Sequence, residues 1–116
     1  PIDTNLTYFA TEFLEEKGYQ FSELLFNHDP QIDAIITTDS LLAEGVCDYI
    51  SKHQLTVPVL SFDSVNPRLD LVAYFDINSL ELGRVSFETI LQIINDAKNN
   101  KQICYRQLIG HKIIEK

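Results

Sequence analysis

Ile32-Asp33-Ala34-Ile35-Ile36-Thr37-Thr38-Asp39-Ser40 is the stretch on which the fold turns. Its centre, Ala34-Ile35-Ile36, is apolar without alternation, which suits a short strand covered on both faces as in a parallel sheet. The run ends in two hydroxyls and a carboxylate, and a helical pattern follows at once, with Leu42, Val46, Tyr49 and Ile50 recurring at spacings of three and four. Asp39 falls at the N-cap, where a carboxylate accepts from the free N–H groups of the first turn. Strand, polar turn and helix in that order make the unit of α/β binding crevices, whose ligands sit beyond the carboxyl ends of the strands.

Upstream, Leu6-Thr7-Tyr8-Phe9-Ala10 is rich in β-formers and reads as a first strand. Thr11 is then the expected cap of a helix whose early Glu12, Glu15 and Glu16 suit the macrodipole. Leu14, Phe21, Leu24 and Leu25 give that helix an apolar face, Gly18 permits close packing on it, and it is expected to end near Phe26, before Asn27-His28-Asp29-Pro30. Downstream, the second helix runs to about His53, Val59-Leu60-Ser61-Phe62 is another apolar run, and Asp63 stands at its end as Asp39 stands at the end of the previous one. Residues 71–77 alternate like a strand. Asn78 with Glu81 resembles a capping box opening a long helix striped with Leu80, Gly83, Phe87, Ile90, Leu91 and Ile94. A last strand is expected within residues 103–109, with Ile113 and Ile114 in the tail. The order β-α-β-α-β-β-α-β predicts an α/β fold with a mostly parallel sheet and helices on both faces.

At 116 residues the chain is one domain by length, and 45% aliphatic and aromatic with 22% charged residues is ordinary for a globular protein. The net charge of −8 repels a phosphate backbone, so this stretch is a poor direct DNA binder, and the basic residues gathered after Lys98 are diluted by apolar neighbours. No apolar run reaches the roughly 20 residues of a membrane span and no signal peptide is recognisable, so cytoplasm is the expected location. Cys47 and Cys104 lack metal or disulfide spacing, and His28, His53 and His111 stand alone, so no metal is expected. There is no P-loop, no dinucleotide fingerprint and no Ser–His motif; neither cofactor nor enzymatic activity is expected.

Three polar strand ends are brought together by this topology: Thr11 with Glu12, Thr38 with Asp39, and Asp63 with Ser64. With Tyr8, Phe62 and Tyr74 nearby they suit a neutral polyol, since carboxylates accept strongly from hydroxyls and aromatic faces cover the C–H side of a sugar ring. Asp39 as a plain helix cap and Asp63 as a plain turn residue remain open beside that reading.

Ile35-Ile36-Thr37-Thr38-Asp39-Ser40-Leu41-Leu42-Ala43-Glu44-Gly45-Val46, then Leu55-Thr56-Val57-Pro58, Ser61-Phe62-Asp63-Ser64, and Asp76-Ile77-Asn78 with Leu82-Gly83, resembles the C-terminal half of the LacI/GalR family of sugar-responsive repressors. The resemblance implies a periplasmic-binding-protein-like effector module of two lobes with a sugar in the cleft, and a helix-turn-helix elsewhere in the full protein that binds operator DNA. It implies that residues 1–116 are a single fragment, the C-terminal lobe, with the helix at 79–97 belonging to the missing N-terminal lobe. Carried over by position, Asp63 holds sugar hydroxyls, Thr38 lies beside the cleft, Asp39 starts the following helix as a cap or as a ligand, and Asp76 takes the place of a polar contact that Ile77 lacks, while Phe62 joins the effector contacts as one of the aromatic residues near the strand ends. Arg68 follows in the loop after Asp63 as a further effector contact. Leu41 and Leu42 are implied at a homodimer interface. The ligand would be a sugar effector of a carbohydrate-utilisation operon, maltose or another disaccharide among the choices. Two other readings are a receiver-type phosphoacceptor domain, which needs an acidic pair where Ala10-Thr11-Glu12 stands, and a dimerisation module with a vestigial cleft.

Overall fold

The computed structural model describes residues 3–63, 66, 69–101 and 104–115. A 3-10 turn, Thr4–Leu6, is followed by α1 (Glu15–His28), β1 (Ile35–Thr37), α2 (Ser40–Lys52), β2 (Val59–Ser61), β3 (Ala73–Asp76), α3 (Ser79–Lys98) and β4 (Lys112–Glu115). The strands form one sheet in the order β1-β2-β3-β4. β1 pairs parallel with β2 (Ile35 opposite Val59, Thr37 opposite Ser61), and β2 pairs parallel with β3 (Ser61 opposite Tyr74). This is the α/β class with a mostly parallel sheet. The chain divides into two compact units, Pro1–Phe75 with Ile113–Lys116, and Asp76–Lys112.

In the first unit α2 lies on the sheet because its stripe matches the side chains that β1 and β2 turn towards it. Ile35, Ala43, Val46, Val59 and Leu71 form the core, each at most 7% exposed, and Phe26, Ile32, Ile50 and Tyr74 pack around them. Burying each large aliphatic of that set contributes about 1.5 to 3 kcal/mol. α1 crosses α2 with the two backbones nearly touching: a Cβ on Gly18 would lie 2.1 Å from the Leu42 carbonyl oxygen, and one on Gly45 1.9 Å from that of Glu15. Glycine at both positions is what lets the helices meet. Ser22, fully buried on α1, donates to the Gly18 carbonyl (2.9 Å) and so satisfies its own hydroxyl.

Several expectations require correction. Residues 6–10 are not a strand: Asp3 caps the 3-10 turn by accepting from Asn5 N–H (2.9 Å), and residues 7–10 join no ladder, because β-formers make a strand only where another strand is at hand. Tyr8 instead stacks on Phe21 of α1, ring centroids 5.4 Å apart. α1 starts at Glu15 after an uncapped Leu14, so Thr11 caps nothing and Thr11 with Glu12 is not a strand end. Nor is β1 covered on both faces, since Ile36 is 67% exposed while Ile35 and Thr37 are buried.

In the second unit Asn78 precedes α3 in the left-handed region (φ 53°) without a side-chain cap, and Glu81 turns to Arg84 rather than back to the helix start. Arg84 bridges Glu81 and Glu88, both at 2.5 Å. The helix ends where Asp96 is buried; its carboxylate accepts from the Tyr105 hydroxyl and its carbonyl from Lys101 N–H (2.9 Å). That tie holds the stretch after α3 to the helix, and the last strand is β4 rather than a segment within 103–109, of which Ile103 lies outside the described residues. Leu80, Phe87, Ile90 and Leu91 of the α3 stripe are more than half exposed. No described helix is long and apolar enough to cross a membrane.

Candidate functional site

Parallel pairing of β1 with β2 sends both strands out at the same end of the sheet, so the segments that follow Thr37 and Ser61 leave from one rim. The rim is tied together by Phe62 N–H donating to the Thr37 carbonyl (3.0 Å). Asp63 comes two residues after β2. Its backbone is held by Ser61, whose buried hydroxyl donates to the Asp63 carbonyl and accepts from the Asp63 N–H (3.3 Å). Among the described residues the Asp63 carboxylate has no partner, and the residue is half-buried. A carboxylate presented this way, on a fixed backbone at a strand end, can accept two hydroxyl donors. Phe62 is 49% exposed and stacks on Phe75, centroids 4.7 Å apart and planes 10° from parallel. The pair offers a flat apolar surface beside Asp63.

Asp39 is the N-cap of α2: its Oδ1 accepts from Leu41 N–H (2.9 Å) and Leu42 N–H (3.1 Å). Its other oxygen receives a long contact from the Thr38 hydroxyl (3.5 Å), and Thr38 is exposed. Capping therefore occupies one oxygen of Asp39 and leaves the outer one at the rim. Asp76 closes β3 and accepts from Asn78 N–H (2.8 Å), shaping the turn into α3. Arg68 lies outside the described residues, as does Ser64. The interface pair separates: Leu41 is 45% exposed, whereas Leu42 is buried at 8%. Leu42 stands one turn before Val46 on the α2 stripe, where α1 crosses α2 at Gly18.

Two positions escaped the sequence reading. Ser61 orients Asp63, and the signal was local, a hydroxyl two residues before a turn residue. Phe75 backs Phe62, which only the β2–β3 register brings about. Away from the rim, Tyr49 lies between Phe26 and His53, and burial, then Glu23, pushes its phenol up. Among the described residues no group of three or more His, Cys, Asp or Glu could hold a metal ion.

Over 114 residues, 98% of its length, the chain is 84% identical to the HTH-type transcriptional regulator MalR of Streptococcus pneumoniae, in strain ATCC BAA-334 / TIGR4 and equally in strain ATCC BAA-255 / R6. It spans 35% of the length of those relatives. No family model matches the chain, and no solved structure does. Its similarity is thus to part of a transcriptional regulator.

Proposed function

We propose that this chain is the ligand-sensing part of a LacI-type transcriptional repressor and forms one wall of a cleft for an uncharged sugar. The observation that carries the reading is the 84% identity to a transcriptional regulator across almost the whole chain. The rim supports it: an unengaged Asp63 carboxylate on a backbone held by Ser61, the half-exposed Phe62, and the outer Asp39 oxygen beside Thr38. Asp63 accepts from sugar hydroxyls, Phe62 covers a C–H face, and Thr38, Asp39, Asp76 and Arg68 are further contacts. No residue here acts as a catalyst. The intact protein is a cytoplasmic homodimer, with Leu41 at the contact, that meets operator DNA through a helix-turn-helix outside these residues. α3 belongs to the opposing lobe. The sugar acts by preferring one lobe arrangement and shifting the DNA-competent population to that extent.

Calorimetry of the intact regulator against maltose, other disaccharides and monosaccharides tests this. One of them should bind, and Asp63→Ala should weaken it about tenfold or more, from the loss of a charged hydrogen bond. Unchanged affinity in that variant removes Asp63 from the site, and silence across the whole panel removes the sugar.

A further inference from the structure

We propose that the far end of α3 is a phosphate-contacting surface: Lys98, Lys101 and Arg106 touch the phosphodiester backbone of the duplex DNA that the intact regulator holds, without reading its sequence. This rests on the reading above that the chain is part of a DNA-binding regulator.

The chain as a whole, at a net −8, repels phosphate, but its charge is unevenly spread. Residues 76–112 hold five of the nine Lys and Arg and four of the seventeen Asp and Glu, a net +1, which leaves −9 on the remainder. Within the second unit the signs separate again, along α3. Glu81 and Glu88 lie in its first half and are both taken by Arg84. Lys98 closes the helix about 15 Å beyond Glu88, well past the roughly 8 Å over which charges feel one another at physiological salt. Between Glu88 and Lys112 the sequence has a single acidic residue, Asp96, which is buried and accepts from the Tyr105 hydroxyl.

Two features gather the cations. Asn100 is left-handed (φ 56°) and turns the chain after the helix, with Lys101 N–H donating to the Asp96 carbonyl (2.9 Å) and Asn100 N–H to that of Ala97 (3.1 Å), the paired bonds of a Schellman stop. The Tyr105 hydroxyl then returns to the Asp96 carboxylate, so Arg106 leaves from beside the last turns of α3. Tyr105, Gln107 and Ile109 line one groove against Val85 and Ile90, and that alternation turns Arg106 away from the helix. Lys98, Lys101 and Arg106 are exposed and have no partner among the described residues. The helix macrodipole accounts for Lys98 in the last turn, whereas Lys101 and Arg106 stand beyond it. Three long cations beside the exposed amides of Asn99 and Asn100, with no free carboxylate, match a row of phosphates, which takes point charges from Lys and a bidentate pair from Arg. The competing occupant is an acidic protein surface such as the first unit of a second copy. Tethering to a DNA-reading segment favours phosphate, because it holds the duplex at an effective concentration on the order of millimolar.

Binding of the intact regulator to two duplexes of unrelated sequence should be followed by fluorescence anisotropy between about 50 and 200 mM salt. Lys98→Gln, Lys101→Gln and Arg106→Gln together should weaken both duplexes alike and flatten the slope of log K against log salt by about 0.9 per cation, about 2.7 in all. Lys112→Gln, which removes a cation from the groove that Glu81 lines at the other end of α3, should leave the slope unchanged. All four positions are exposed, so the melting temperature should not move and the slope reports contact rather than folding. A triple variant that keeps the parent's slope overturns the proposal. So does one that keeps the slope and loses self-association in sedimentation, which gives the cations to a second copy. A parent that binds neither duplex sinks the regulator reading and this surface with it, whereas a parent that binds beside a triple variant of equal slope sinks the surface alone.

Discussion

Replacing Gly45 by alanine tests whether the α1–α2 crossing holds the first unit together. The added Cβ would stand 1.9 Å from the Glu15 carbonyl oxygen and 2.6 Å from the Tyr19 nitrogen. Both are backbone atoms of a helix, so no side chain can swing away. Reaching ordinary contact at 3.4 Å requires the helices to part by 3.4 − 1.9 = 1.5 Å. That gap strips contacts from Leu42, Val46 and Tyr49, the buried stripe of α2. Overpacking costs about 1 to 3 kcal/mol where side chains can shift. With rigid backbone on both sides the upper end applies, partly offset by the gain of roughly 1 kcal/mol that alanine brings to a helix interior. The net expectation is a loss of about 2 kcal/mol or more, a large share of a stability of about 5 to 15 kcal/mol. Urea unfolding followed by far-ultraviolet circular dichroism measures it. Gly83→Ala is the comparison, because a Cβ there meets nothing within 4 Å and should only favour α3. A Gly45→Ala midpoint within 0.5 kcal/mol of the parent would refute the close-crossing argument.

Asp39→Ala should cost about 1 kcal/mol by leaving the Leu41 and Leu42 N–H groups unaccepted, and Asp39→Ser should recover most of it, as read in the same urea melts. At high concentration the 116-residue chain should self-associate through the exposed α3 stripe, and Phe87→Asp with Leu91→Asp should return it to monomer; sedimentation equilibrium giving a monomer mass for the parent would sink the idea. Arg84 holds the Glu81 carboxyl below the usual carboxylate range, so the contribution of that pair is present above the unfolded value and fades as pH falls through the lowered folded one. Acidification should therefore loosen the first turns of α3, with added salt doing the same at neutral pH, followed by amide chemical shifts; the effect is small because both groups are exposed.

The local code was legible wherever one residue and its near neighbours decide the outcome. Asp39 as a cap, the α2 stripe and the parallel β1-α2-β2 unit follow from spacing and the chemistry of orphan N–H groups, which act within a turn. Asp63 at the rim follows from the same unit, since a parallel strand must deliver its last residues to the same end as its neighbour. Ser61 left only the local signal of a hydroxyl two residues before a turn residue, and the stacking of Phe75 on Phe62 left none, because it depends on a strand register.

Residues 6–10 show why the remainder needed tertiary structure. Their β-forming character is intrinsic, but a strand is a relation between two backbones, and here no described segment offers the second. Asn78 and Glu81 likewise have the spacing of a capping box, yet Arg84 one turn on draws Glu81 the other way. Leu41 and Leu42 are adjacent and chemically identical; the periodicity of α2 by itself put Leu42 on the apolar face and left Leu41 off it, and only the crossing with α1 decided what covers that face at Leu42. Short-range hydrogen bonding and periodicity belong to the chain, whereas burial and pairing depend on which distant atoms occupy the space beside it.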